Sequence, residues 1–170
     1  MPSPGEEIVI LEASEANVEA IASFFWNAWR EAGPDALGWI GASEEVLKEI
    51  SAGNHIAKRV GSADRRMFLA KEGERVVGLA ANRRIDDETL ELAGIIVLQS
   101  LLGRGIGSRL LNVAVDAARH DGYTRLDVMT EADNERAIAF YKEKGFALSE
   151  TTEEKVESVR VRVLRLIRDL

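Results

Sequence analysis

The residues of this chain best suited to chemistry form a glycine-rich turn, Gly103-Arg104-Gly105-Ile106-Gly107-Ser108, that follows an apolar run and opens a segment of helical periodicity. Glycines at such a point let the backbone approach a ligand closely, and the unpaired amides and positive dipole end of the helix favour a phosphate group. Arg104 adds a positive charge. The same glycines also serve a plain strand-to-helix turn, so the pattern alone leaves both readings open. A dinucleotide-binding fold competes, because Asp127 stands at about the spacing of a ribose-binding carboxylate in the next strand. Its context is wrong: an antiparallel meander precedes the turn, one strand–helix–strand unit follows it, and Ser108 occupies the place of the third glycine. The chain has no cysteine and two widely separated histidines, so neither a thiolate nucleophile nor a metal site is expected. Catalysis must rest on carboxylates, hydroxyls or backbone groups.

The elements that position this turn are legible from periodicity. Glu7 to Leu11 reads as a strand, and Val18, Ile21, Ala22, Phe25, Ala28 and Trp29 mark one face of a helix ended by Gly33-Pro34. A second helix follows Ser43, with Val46, Leu47 and Ile50 inward and Gly53-Asn54 as its stop. Met67 to Ala70 and Val76 to Ala80 flank Glu72-Gly73-Glu74, a hairpin turning on glycine, and Leu90 to Leu98 adds a third strand after Asp86-Asp87-Glu88. Ile106, Leu110, Val113, Ala114 and Ala117 predict a long helix, Leu126 and Val128 a strand, and Ala137 to Lys144 a shorter helix stopped by Gly145. Phe146 to Leu148 and Val159 to Val163 predict a closing hairpin whose alternation slips between Val163 and Leu164, marking a bulge or the strand end. The order is strand, two helices, three strands, helix, strand, helix, two strands, a mixed α+β sheet with helices on its faces.

At this point the chain resembles the GNAT acetyltransferases. Leu102-Gly103-Arg104-Gly105-Ile106-Gly107 aligns with that family's signature Gln/Arg-x-x-Gly-x-Gly/Ala. Asn134-Glu135-Arg136-Ala137-Ile138-Ala139-Phe140-Tyr141, followed by Gly145-Phe146, is similar to its second signature, Asn-x-x-Ala-x-x-x-Tyr and then Gly-Phe. The resemblance covers nearly the whole chain, most strongly from Leu90 to Phe146. It departs at Leu102, where the family carries glutamine or arginine. The resemblance implies an acyl-CoA N-acyltransferase fold: a central, mostly antiparallel sheet of about seven strands, flanked by four helices and splayed between the fourth and fifth strands.

That resemblance assigns roles. Acetyl-CoA would be the co-substrate, its phosphates cradled by backbone amides from Leu102 through Gly103, Arg104, Gly105, Ile106 and Gly107 to Ser108. Its pantetheine arm would lie in the splay against the backbone of Ile95, Ile96 and Val97, where Gly94 suits a bulge or a close approach. Tyr141 resembles the family tyrosine that protonates the departing thiolate; by periodicity alone it is a half-buried packing residue. Asn134 would contact the cofactor arm and cap the same helix. Glu91 stands where some members carry a glutamate that deprotonates the amine through a water, and its alternation equally suits a solvent-facing carboxylate. Trp26 and Trp39 are candidates for a wall of the acceptor site, with Trp29 on the inward helical face.

The 170 residues, 46% hydrophobic, suffice for one core and predict a single domain, residues 1–170. No apolar run approaches a membrane span, and a cytoplasmic protein is expected. A net charge of −7 disfavours nucleic acid and suits a cationic amine acceptor, although acidity also serves solubility alone. Direct transfer from acetyl-CoA to a primary amine in a ternary complex is the leading expectation, because no cysteine can hold an acetyl group. A non-catalytic acyl-CoA-binding module is the alternative, and a homodimer is compatible with either.

Overall fold

The computed structural model describes residues 6–37, 43–156 and 159–170. Seven strands form one sheet in the order β1-β2-β3-β4-β5-β7-β6, with β1 spanning Ile8–Glu12, β2 Arg65–Glu72, β3 Arg75–Arg84, β4 Thr89–Val97, β5 Arg125–Glu131, β6 Ala147–Val156 and β7 Val159–Asp169. Every neighbouring pair is antiparallel except β4 and β5. The described residues hold five α-helices: α1 Val18–Ala32, α2 Glu44–Ile50, α3 Gly53–Val60, α4 Ile106–His120 and α5 Glu135–Glu143.

The extra helix, α3, departs from the sequence reading. Gly53-Asn54 is a start rather than a stop: Gly53 opens α3, and a Cβ there would stand 3.7 Å from the Val18 side chain of α1. Over its eight residues α3 fully buries only Ile56, too little apolar pattern to reveal a period. α1 buries Ile21, Phe24, Phe25 and Ala28, so Phe24 joins the face read from the sequence while Trp29 stays half-buried at its margin. Ser43 caps α2, its hydroxyl accepting from the Val46 amide at 3.2 Å.

The two faces of the sheet carry different helices. α4 packs across β1 to β4 and buries Ile106, Leu110, Leu111, Ala114, Val115 and Ala118, each large side chain stabilising the fold by roughly 1.5–3 kcal/mol. Gly78 of β3 lets it come close: a Cβ there would stand 3.0 Å from Leu110 and 3.2 Å from Ile106. Asn82, four residues on, donates its amide to the Ala114 carbonyl at 3.3 Å. On the other face α1 rests on β3 and α3 on β2.

Two irregularities matter. β4 pairs with β5 only from Thr89 to Leu92, against Arg125 to Val128, and a register shift opposite Ala81 and Asn82 leaves Ala93 as an extra residue just before Gly94. Beyond it, Ile95, Ile96 and Val97 pair with β3 and, among the described residues, have no partner strand on their other edge. The slip at Val163 and Leu164 is neither a bulge nor a strand end: both residues pair in step with Thr152 and Thr151, β7 runs on to Asp169, and the irregularity lies in β6 at Ser149. Asp127, 2% exposed, is held by Arg125 at 2.9 Å and Arg165 at 3.7 Å, an internal role unlike that of a ribose-binding carboxylate. Among the described residues no helix is long and apolar enough to cross a membrane.

Candidate functional site

Because β4 and β5 part after Leu92 and Val128, a cleft of about 1000 Å³ opens between their C-terminal ends. The carboxyl ends of adjacent parallel strands are where open sheets leave room for ligands. One wall is Ile95, Ile96 and Val97; the floor of its mouth is the turn from Leu102 to Ser108; α5 closes the far side through Asn134, Ala137, Phe140 and Tyr141; and the end of α1 supplies Ala28, Glu31 and Ala32.

The turn has the conformation its glycines permit. Gly103 and Gly105 have φ of +81° and +77°, and a side chain at either would meet nothing within 4 Å. Gly105 is the N-cap of α4 and offers no side chain, so the first amides of α4 are left without an intrahelical acceptor and face the cleft. Leu102 lies at this mouth, 38% exposed. Arg104 alone of the turn turns away from the cleft, its guanidinium 3.8 Å from the nearly buried Glu72 carboxylate. A further tie steadies the approach to the turn: Ser100 donates its backbone N–H and its hydroxyl to the Glu31 carboxylate at 3.1 and 2.9 Å.

Asn134 caps α5, its side-chain oxygen accepting from the Ala137 amide at 3.1 Å, and this brings Tyr141 two turns later onto the cleft. Tyr141 is 6% exposed and lies edge-on between Phe140 and Phe146, with ring centroids 5.3 and 5.4 Å away. Burial raises its phenol to about 12, which keeps the proton on oxygen at any physiological pH.

The structure therefore gathers Ile95, Ile96, Val97, Leu102, Gly103, Gly105, Ile106, Gly107, Ser108, Asn134 and Tyr141 around one cavity. It does not bring Glu91 there: that carboxylate pairs with Arg83 at 3.0 Å, outside the cleft lining. Trp26 packs half-buried against the core, also outside the lining, because the α1 residues that reach the cleft lie one turn further along. Trp39 lies outside the described residues.

The sequence reading missed the acidic side of this cavity. Glu31, Asp35, Glu131 and Asp133 line it, with Arg136. Burial, and then the neighbouring Asp133 and Asp35, hold the Glu131 carboxyl above the usual carboxylate range. The available signal was positional: Glu131 ends the strand that follows the glycine turn, and Asp133 comes two residues later, just before Asn134. Among the described residues no group of three or more histidine, cysteine or carboxylate side chains is placed to hold a metal ion.

Comparison with known proteins places this architecture. The model of the acetyltransferase (GNAT) family matches residues 18–146. The mycothiol acetyltransferase of Jonesia denitrificans is 36% identical over 77 residues, 45% of this chain and 24% of that protein. The N-alpha-acetyltransferase 30 of Schizosaccharomyces pombe is 28% identical over 83 residues, 46% of this chain and 55% of that one. The chain thus spans from about a quarter to about half the length of these curated relatives. Among solved structures, the PaiA N-acetyltransferase of Thermoplasma acidophilum, in complex with coenzyme A, superposes with a TM-score of 0.77 at 15% identity, covering 96% of this chain and 99% of that one. The IAA acetyltransferase of Bacillus cereus gives 0.63 at 23% identity, covering 96% and 100%. With the seven-stranded sheet, the parallel pair that opens and the glycine turn at its mouth, the match across residues 18–146 establishes that this chain belongs to the acetyltransferase (GNAT) family.

Proposed function

We propose that the chain transfers the acetyl group of acetyl-CoA directly to a primary amine, with both substrates bound together. The observation that carries this reading is the cleft itself, where an unpaired strand edge, a helix N-terminus and a buried phenol meet. The residues suit the co-substrate. The uncapped amides from Ile106 to Ser108 are matched to a pyrophosphate, and the free backbone edge of Ile95 to Val97 offers strand-like hydrogen bonds to amide groups. The bound acetyl-CoA supplies an activated acyl carbon; the remaining work falls to side chains of this chain. Tyr141 holds its proton ready for the leaving sulfur, and the amine enters between α1 and β5, where the carboxylates attract an ammonium group. The absence of cysteine supports direct transfer over an acetyl-enzyme route.

A panel of amines assayed for thiol release from acetyl-CoA tests this reading, with initial rates measured over both substrates. Intersecting double-reciprocal lines are expected. Parallel lines with an isolable acetylated protein would overturn the ternary complex, and no release with any amine despite coenzyme A binding would favour a non-catalytic module.

A further inference from the structure

We propose that Glu131 is the base that takes the proton from the acceptor's ammonium group. The inference rests on the acetyltransferase reading and names the second catalytic residue for it. An alkylamine near neutral pH is a cation without a lone pair, so transfer begins with loss of a proton. The acceptor's R–NH3+ gives one proton to the Glu131 carboxylate, becoming R–NH2 and Glu131–COOH. The nitrogen lone pair then bonds to the acyl carbon as the C–S electrons leave with sulfur, and Tyr141 protonates that sulfur. The second nitrogen proton returns through solvent to the Tyr141 oxygen, and Glu131 releases its own to water. The balance is R–NH3+ plus thioester to amide, thiol and one free proton.

Position singles out this carboxylate. Glu131 lies on β5 three residues past its last β4 partner position, Val128, so it stands on the opened side of the gap and lines the same cleft as Tyr141 and Ile95 to Val97. The register that sets Glu91 beside Asp127 puts Glu131 on the sheet face that also carries Glu91, the face against which α1 packs. The other carboxylates on or near this face have partners: Glu91 has Arg83, Asp127 has Arg125 and Arg165, and Glu31 has Ser100 and, at 3.9 Å, Arg75. Among the described residues Glu131 forms no ion pair. Asp133 and Asp35 also line the cleft, but both are exposed and stand outside the strands, whereas Glu131 is half-buried on the sheet and held in place by β7. The charged groups lining the same cleft are Asp133, Asp35, Glu31 and Arg136. Burial, and then the neighbouring Asp133 and Asp35, favour a proton on Glu131, which makes it a stronger base than an isolated glutamate.

The test uses the full chain and its Glu131→Gln and Glu131→Asp variants, with acetyl-CoA and two amines of similar shape. One amine is protonated at the assay pH and the other, of low basicity, is already neutral. Glu131→Gln should lower turnover of the protonated amine by about a hundredfold or more, with coenzyme A affinity unchanged. The acid limb of kcat/KM should move toward the amine's own titration. The neutral amine should keep nearly wild-type turnover, and Glu131→Asp should recover part of the lost rate. Full turnover of the protonated amine by Glu131→Gln, or a raised KM at unchanged kcat, overturns the base assignment and leaves the acetyltransferase reading standing. A wild-type protein that binds coenzyme A but acetylates no amine overturns both.

Discussion

Replacing Gly105 by alanine separates backbone strain from ligand contact, because the fold contains a matched control. Gly105 has φ of +77° at the N-terminus of α4, and Gly122 has φ of +89° just past its C-terminus; a Cβ at either meets nothing within 4 Å. An L-residue in this left-handed region costs about 1–2 kcal/mol. Both variants should therefore lose about the same stability, and a domain of this length should melt about 2–8 °C lower. Only Gly105 lines the cleft. A methyl group there stands at the amides assigned to the pyrophosphate, and loss of one charged hydrogen bond, about 1.5–3 kcal/mol, weakens binding about ten- to a hundredfold. Titration calorimetry with coenzyme A at fixed ionic strength reads this directly. Gly122→Ala should retain wild-type affinity. If Gly105→Ala also retains it while melting like Gly122→Ala, the turn does not hold the phosphates.

Three further perturbations follow from the same geometry. Tyr141→Phe should lower single-turnover rates by about a hundredfold or more at unchanged coenzyme A affinity. A phenol raised to about 12 contributes stability that is complete below the unfolded value near 10 and is lost as pH rises through the folded one, so at pH 11 the wild type should lose about 1.4 kcal/mol more than Tyr141→Phe in denaturant titrations; equal losses would show that the phenol is not buried. Thr130 keeps a buried hydroxyl on β5 without a hydrogen-bond partner among the described residues, so Thr130→Val should be neutral or raise the melting temperature, and a clear fall would reveal a missing partner. Ser100→Ala removes the hydroxyl contact to Glu31 and should cost about 0.5–1.5 kcal/mol of stability together with some coenzyme A affinity; an unchanged variant would show that this tie does not steady the turn.

Much of this protein is local in its chain, and that part is legible in the sequence. The glycine turn and its helix, the Asn134 cap and Tyr141 two turns beyond it depend on backbone preferences and on spacing along a helix, both written over a dozen residues. Six of the seven strands and four of the five helices follow from alternation and helical period in the same way, whereas β6 is read only at Ala147 and Leu148 because Ser149 to Lys155 are polar and mostly exposed. α3 was illegible because one fully buried side chain carries no period and its opening glycine is the same residue that ends other helices. The proton acceptor and the acceptor wall depend on which surfaces meet. Glu91 and Glu131 are equally plausible carboxylates in one dimension; only the register of β3, β4 and β5 sets Glu91 against Arg83 and leaves Glu131 in the gap. Likewise α1 shows its apolar face in its sequence, but its distance from β5, and hence Glu31 rather than Trp26 at the cleft, is decided by packing. Local conformational preference determines which residues are able to cradle a phosphate, and long-range strand pairing determines which carboxylate is left free beside it.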